Sequence, residues 1–101
     1  MFGSVVRLHP RPGQEGAVLA KIDEWMRDRK PIVDGFVGLY FLRSRRRPGE
    51  IVGLTVFTSE AAYLRNAADP LQDRWYLGLR SLLEMDPDWE DGPIDAFLPD
   101  D

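Results

Sequence analysis

Asp34 to Thr58 reads DGFVGLYFLRSRRRPGEIVGLTVFT, and this stretch decides the fold. β-branched and aromatic residues fill Gly35 to Leu42 and Ile51 to Phe57, and turn residues bound both runs. The spacing predicts an antiparallel hairpin with a charged tip from Arg43 to Glu50. A hairpin with one wet face alternates apolar and polar residues; these strands do not. Strict alternation puts Phe36, Tyr40 and Leu42 on one face and Val37, Leu39 and Phe41 on the other. In the second strand Ile51 and Phe57 lie opposite Val52, Leu54 and Val56. A sheet that is apolar on both faces needs a cover on both.

The flanking segments supply one cover. Gly3 to His9 reads as a first strand, ended by Pro10 and Pro12, which lack the N–H that a ladder needs. From Gly13 to Lys30 the period turns helical, with Val18, Ile22 and Trp25 on one stripe and Pro31 as the stop. After Phe57, Thr58 or Ser59 caps a helix that runs to about Ala68. Asp69-Pro70-Leu71-Gln72 then restarts it, with Asp69 as N-cap, Pro70 at the first helical position and Gln72 closing a capping box. The second piece is expected to reach about Met85 on a stripe of Leu71, Trp75, Leu79 and Leu82 or Leu83. Trp89 to Pro93 reads as a turn-rich link and Ile94 to Leu98 as a short last strand.

The order is β-α-β-β-α-β, an α+β, ferredoxin-like arrangement with a four-stranded antiparallel sheet and both helices on one face. The second face, with Phe36, Tyr40, Phe57 and Val6 or Leu8 as candidates, would stay bare and apolar in a single chain. Leaving such surface in water forfeits about 25 cal/mol per Å². The expected cover is a second copy of the chain in a two-fold dimer, sheet against sheet.

The totals bound the rest. With 101 residues the chain is expected to be one domain, its core from about residue 2 to 97. It has no cysteine, so no disulfide, thiolate metal site or thiol nucleophile is available. No run of about 18 apolar residues suggests a membrane span, and the start lacks a signal-peptide pattern, so the expected place is the cytoplasm. Net charge is −4, unevenly spread. Glu84, Asp86, Asp88, Glu90, Asp91, Asp95, Asp100 and Asp101 follow the last basic residue, so this acidic end, 84–101, does not bind nucleic acid. It is a candidate partner for the arginine-rich tip, which otherwise reads as a solvated loop rather than a phosphate or nucleic-acid site. The late carboxylates lack the spacing of a calcium loop, and no nucleophile triad, phosphate-binding glycine loop or histidine-based metal site is present.

The sequence resembles the antibiotic-biosynthesis-monooxygenase-type domains of the dimeric α/β-barrel superfamily. The resemblance runs over roughly residues 2 to 97. It is carried by Val5-Val6-Arg7-Leu8 before Pro12-Gly13, by Asp34 to Gly38, by Leu54 to Tyr63, and by Trp75-Tyr76. It implies a homodimer and a pocket between sheet and helices. It also implies three kinds of activity: cofactor-independent oxygenation of a small aromatic, quinol or anthrone, haem degradation, or none assigned. The haem-degrading branch uses an asparagine, a tryptophan and a histidine where this chain has Val6, Asn66 and Tyr76, so that activity is disfavoured. The oxygenases use Asn, Trp and Tyr side chains around the pocket. That implies Asn66 and Tyr76 as catalytic candidates and Phe36, Tyr40, Phe57, Tyr63 and Trp75 as substrate-binding candidates, with no cofactor and no metal.

Plainer readings stand beside these. Trp75 lies on the Leu71–Leu79 stripe and reads as core, Asn66 near a helix break as a local cap, and Tyr76 as pocket or dimer edge. His9 could serve as a general base, but no carboxylate close in sequence is placed to orient it, and an exposed strand-end histidine is the plainer reading. The alternative to an oxygenase is a non-catalytic dimer of the same fold that binds a small apolar ligand or serves a stress response.

Overall fold

A computed structural model of the chain describes residues 1–96. In order the elements are β1 (Phe2–Leu8), α1 (Glu15–Asp28), β2 (Phe36–Arg43), β3 (Ile51–Phe57), α2 (Glu60–Ala67), α3 (Pro70–Arg80) and β4 (Asp88–Pro93). The sheet order is β2-β3-β1-β4 with every neighbouring pair antiparallel, the ferredoxin-like α+β topology expected from the sequence.

The core forms where one stripe of each long helix meets one face of the sheet. Val18 and Ile22 of α1 and Leu79 of α3 pack with Val6 and Leu8 of β1 and Ile51 of β3, and Leu83 closes the end. The breaks fall where capping chemistry puts them. The Ser59 hydroxyl accepts from the Ala62 N–H at 3.1 Å, and the Asp69 carboxylate accepts from the Leu71 N–H at 2.9 Å, with Pro70 opening α3.

The two faces of the hairpin are not those of simple alternation. Phe36 pairs with Phe57 and Gly38 with Val56, so Val37 is an extra residue in β2. One extra residue inverts the facing of everything after it. Phe36 therefore points at the helices, its ring 4.9 Å from that of Trp25, and so do Leu39 and Phe41. Phe57, Val6 and Leu8 are also buried on that side, which corrects their expected place on the bare face. The outer face instead carries Tyr40 and Leu42, 73% and 59% exposed, with Leu54 and Val37 beside them. It is apolar and uncovered, as expected, but through different residues.

Three further expectations are corrected. The last strand is Asp88–Pro93, the segment expected as a link, and Ile94 to Ala96 lie beyond it. Residues 97 and 98 of the expected strand lie outside the described residues. β1 needs a partner on its free edge, and the pairing Phe2↔Pro93 to Arg7↔Asp88 meets that need despite poor strand propensity. Pro93 is tolerated because it ends an edge strand. Helix α3 stops at Arg80, five residues short of Met85, because Leu82 and Glu84 turn to pair with Arg11 and His9. The inward stripe of α3 begins at Gln72 rather than Leu71, which is 47% exposed. Gln72 is drawn inward by the indole of Trp25, whose Nε1 donates to its Oε1 at 2.7 Å, and the Asp69 N–H that a capping box would engage donates instead to the Asn66 carbonyl oxygen at 3.1 Å.

Gly35 is the turn on which β2 enters the sheet. Its φ is +79°, and an added Cβ would lie 2.6 Å from the Ala62 Cβ and 2.8 Å from the Thr58 hydroxyl. A left-handed conformation costs a substituted residue about 1–2 kcal/mol, and overpacking costs a similar amount. Gly35→Ala should therefore lose about 2–3 kcal/mol of stability, seen as a fall of about 10 °C or more in Tm. An unchanged melting curve would contradict this account of the turn.

Candidate functional site

The helices do not press flat on the sheet. A cavity of about 520 Å³ lies between them, with Phe41 of β2 and Thr55 and Phe57 of β3 on its floor and Trp75 and Tyr76 of α3 in its wall. Asn66 of α2 lies at the helix break, and Trp89 and Asp91 of β4 close the far side. The volume suits a ligand of two or three fused rings.

Gly53 explains part of this shape. It faces the helices between Val6 and Phe41, and a Cβ there would overlap the Phe41 ring. The space beside Gly53 is thus occupied by an aromatic ring that forms the cavity floor.

The polar atoms fall into two sets. The first is already engaged with protein. Trp75 Nε1 donates to the Lys21 carbonyl oxygen at 2.8 Å, and Trp25 Nε1 donates to Gln72. Both indoles thus offer ring faces to the cavity and no free N–H. Asn66 Oδ1 accepts from Arg29 Nη2 at 2.9 Å. The second set is bonded within itself: Tyr63 and Asp91 line the cavity, and Ser4 is buried beside Asp91. The Tyr63 hydroxyl donates to Asp91 Oδ2 at 3.2 Å, and the Ser4 hydroxyl donates to Asp91 Oδ1. Burial pushes the Tyr63 phenol above its ordinary range; a hydrogen bond with Ser4 opposes that rise, and the Asp91 charge adds to it. Burial likewise raises the Tyr76 phenol, helped by the charge of Asp86 and opposed by that of Arg80. Both tyrosines therefore hold their protons at neutral pH and serve as donors.

Of the sequence candidates, Asn66, Tyr76, Phe57, Tyr63 and Trp75 come together around this cavity. Phe36 lies one layer back, 5.8 Å from Phe57 in an edge-on contact and against Trp25. Tyr40 lies on the opposite face of the sheet and does not line the cavity. Trp75 packs against the core and also lines the cavity.

Sequence reasoning missed Asp91, Ser4, Trp25 and Arg29. A strand reading of Asp88 to Pro93 would have placed Trp89 and Asp91 on one face by period two.

The other motifs lie apart from the cavity. His9 is not without a carboxylate: Glu50, from the hairpin tip, is buried and stands 3.0 Å from its Nε2. Arg47 of the tip pairs with the same Glu50 at 3.7 Å. Among the described residues the tip and the acidic end do not pair; Asp86 pairs with Arg80 instead. Among the described residues no helix is long and apolar enough to cross a membrane, and no group of three metal-ligating side chains occurs.

The family model described as antibiotic biosynthesis monooxygenase matches residues 1–75. No curated protein matches the chain. Solved structures do. The chain is similar to SnoaB, a cofactor-independent oxygenase from Streptomyces nogalater, at 24% identity and TM-score 0.73, over 98% of this chain and 97% of that one. It is similar to Rv0793 from Mycobacterium tuberculosis at 21% identity and TM-score 0.78, over 94% of this chain and 96% of the other. A protein of unknown function from Nitrosomonas europaea matches at 21% identity and TM-score 0.77, over 99% and 95%. At these identities the likeness is one of fold.

Proposed function

This chain belongs to the antibiotic biosynthesis monooxygenase family, and on that premise we propose that it oxygenates a small aromatic substrate of the quinol or anthrone kind, using dioxygen and no bound cofactor. The observation that carries this reading is the cavity: aromatic walls around a small set of donors, with the carboxylates of Asp73 and Asp91 among them. The fold shared with SnoaB, a cofactor-independent oxygenase, supports it.

The chemistry asks little of the protein beyond binding and electrostatics. A quinol or anthrone that has lost a proton is electron-rich enough to pass an electron to O₂. The radical pair then joins through a C–O bond, and loss of water leaves a carbonyl. For an anthrone, the methylene and O₂ give a quinone and water. The site must hold the ring plane, favour the anion and exclude bulk water. The ring faces of Trp75 and Phe57 serve the first need. The amide of Asn66 and the protonated hydroxyl of Tyr76 serve the second, by donating to the oxygen on which charge develops. Tyr63 binds the substrate edge beside Asp91. The active form is a homodimer joined through the outer sheet face.

O₂ uptake with a panel of anthrones and hydroquinones tests the reading. The expected result is one O₂ consumed per substrate, with one atom of labelled oxygen in the product. Saturable binding of these compounds with no uptake by any of them would move the protein to a ligand-binding role.

A further inference from the structure

We propose that Arg29 is a positioning residue for Asn66: it fixes the side-chain amide so that the NH₂ group, not the carbonyl oxygen, is offered to the cavity, and it sets a buried positive charge behind that donor. The proposal rests on the reading of Asn66 as the group that binds the developing anion.

Arg29 ends α1, its backbone N–H donating to the Trp25 carbonyl oxygen at 2.8 Å. A helix-terminal arginine is ordinarily solvated, yet this one is only 6% exposed. Its Nη2 donates to Asn66 Oδ1 at 2.9 Å and to Asp69 Oδ2 at 3.3 Å. Its Nε and Nη1 are buried and have no partner among the described residues.

Two consequences follow. A guanidinium has donors and no acceptor. An Asn66 amide turned the other way would set N–H against N–H, so Arg29 selects a single orientation. The amide NH₂ is then left unpartnered among the described residues, on a side chain that lines both the large cavity and the small outer pocket where Arg29 lies.

The second consequence is electrostatic. The cation is matched by one carboxylate, Asp69, which is 37% exposed and so partly screened by water. The remaining positive potential reaches the cavity through a polarised amide. A bound phenol or enol beside that NH₂ is easier to ionise. Other charged groups nearby are Asp34 and Arg65, which share the outer pocket, and Asp73 and Asp91, which line the cavity itself. Apart from Asp69, Asp34 and Arg65 flank Arg29 with opposite charges, and the cavity carboxylates oppose ionisation, so the Arg29 charge has an effect to counter.

A purely structural arginine would tie α1 to the α2–α3 junction without affecting what ionises in the cavity. Absorbance titration of bound 4-nitrophenol separates the two roles, since its phenol and phenolate differ in colour. In Arg29→Gln the bound probe should ionise about one pH unit higher than in wild type, a change of about tenfold in its ionisation constant. Arg29→Lys, which keeps the charge but loses the planar fork, should restore part of that shift. The acid limb of kcat should move in the same direction, with KM little changed.

In an Asn66→Ala background the Arg29→Gln shift should be clearly smaller, since the part relayed by the oriented amide is gone and only the through-space effect of the charge remains. An equal shift in both backgrounds overturns the positioning role and leaves Asn66 as the anion-binding group. No shift from Asn66→Ala alone overturns both readings. The ligand-free wild-type protein gives a check that needs no variant. The Asn66 NH₂ protons should show NOEs to cavity-wall protons, and NOEs to the Arg29 guanidinium in their place would overturn the proposal.

Discussion

Asn66→Ala is expected to lower kcat/KM for O₂-dependent oxidation about 10²–10³-fold, the size typical of losing one donor aimed at a developing oxyanion. The change should fall on kcat rather than KM. The aromatic walls that hold the substrate remain, whereas the amide acts most strongly once charge has moved onto the oxygen. Truncation also leaves Arg29 Nη2 with only Asp69 as partner. A lost hydrogen bond to a buried charged donor costs about 1–3 kcal/mol of stability. Melting curves recorded in parallel separate that loss from the catalytic one, provided that turnover is measured well below the midpoint. Tyr76→Phe removes a neutral hydroxyl from the same wall and should cost less, about tenfold. A kcat for Asn66→Ala within a factor of about three of wild type would remove Asn66 from the mechanism.

How far this site could be read beforehand depended on the kind of signal each residue left. Val18, Ile22 and Trp25 recur at helical spacing and are buried, because periodicity is a local property that packing merely uses. Ser59 and Asp69 cap their helices for an equally local reason. Asn66, Tyr63, Trp75 and Tyr76 came together as candidates only through the family resemblance, and they lie around one cavity on either side of the helix break at Asp69-Pro70. The failures are all long-range. The extra residue at Val37 leaves no mark in composition, yet it exchanges the faces of β2 and carries Tyr40 away from the cavity. Asp91 stands in a run of acidic and turn residues, and only the vacant edge of β1 makes that run a strand. Gln72 reads as the closing residue of a capping box until Trp25 is found to need an acceptor. Arg29 stands at a helix C-terminus, where a cation suits the dipole for local reasons, and nothing local marks its contact 37 residues away.

Leu54→Lys should convert the protein from dimer to monomer at micromolar concentration, by raising the dimer dissociation constant at least about a hundredfold, since burying an unpaired ammonium costs several kcal/mol. Leu54 lies on β3, one of the two inner strands of the sheet, flanked on the outer face by Val5 and Tyr40. It is 37% exposed in a single chain, so a lysine there keeps its ammonium in water and leaves the fold intact. Only an interface would desolvate it. The outer face is not uniform, which narrows where the contact falls. Arg7 pairs with Asp88 and Val5 with Glu90, so the β1–β4 half is charged. Val56 is buried at 2% although it faces outward, and the chain after β4 accounts for this: the Ile94 side chain packs over Gly3, the partner of Val56. The open apolar ground is therefore the β2–β3 half, with Tyr40, Leu42 and Leu54 together. In the proposed dimer a patch confined to one half would meet its own copy about a two-fold axis, so a single substitution would act twice at the contact. Leu54→Lys should consequently disrupt association more than a charge placed at the rim, and Glu90→Lys on the already charged half should leave it nearly unchanged. Sedimentation velocity of the wild type and both variants decides the matter, and a wild-type monomer at these concentrations would end the case for a sheet-to-sheet dimer.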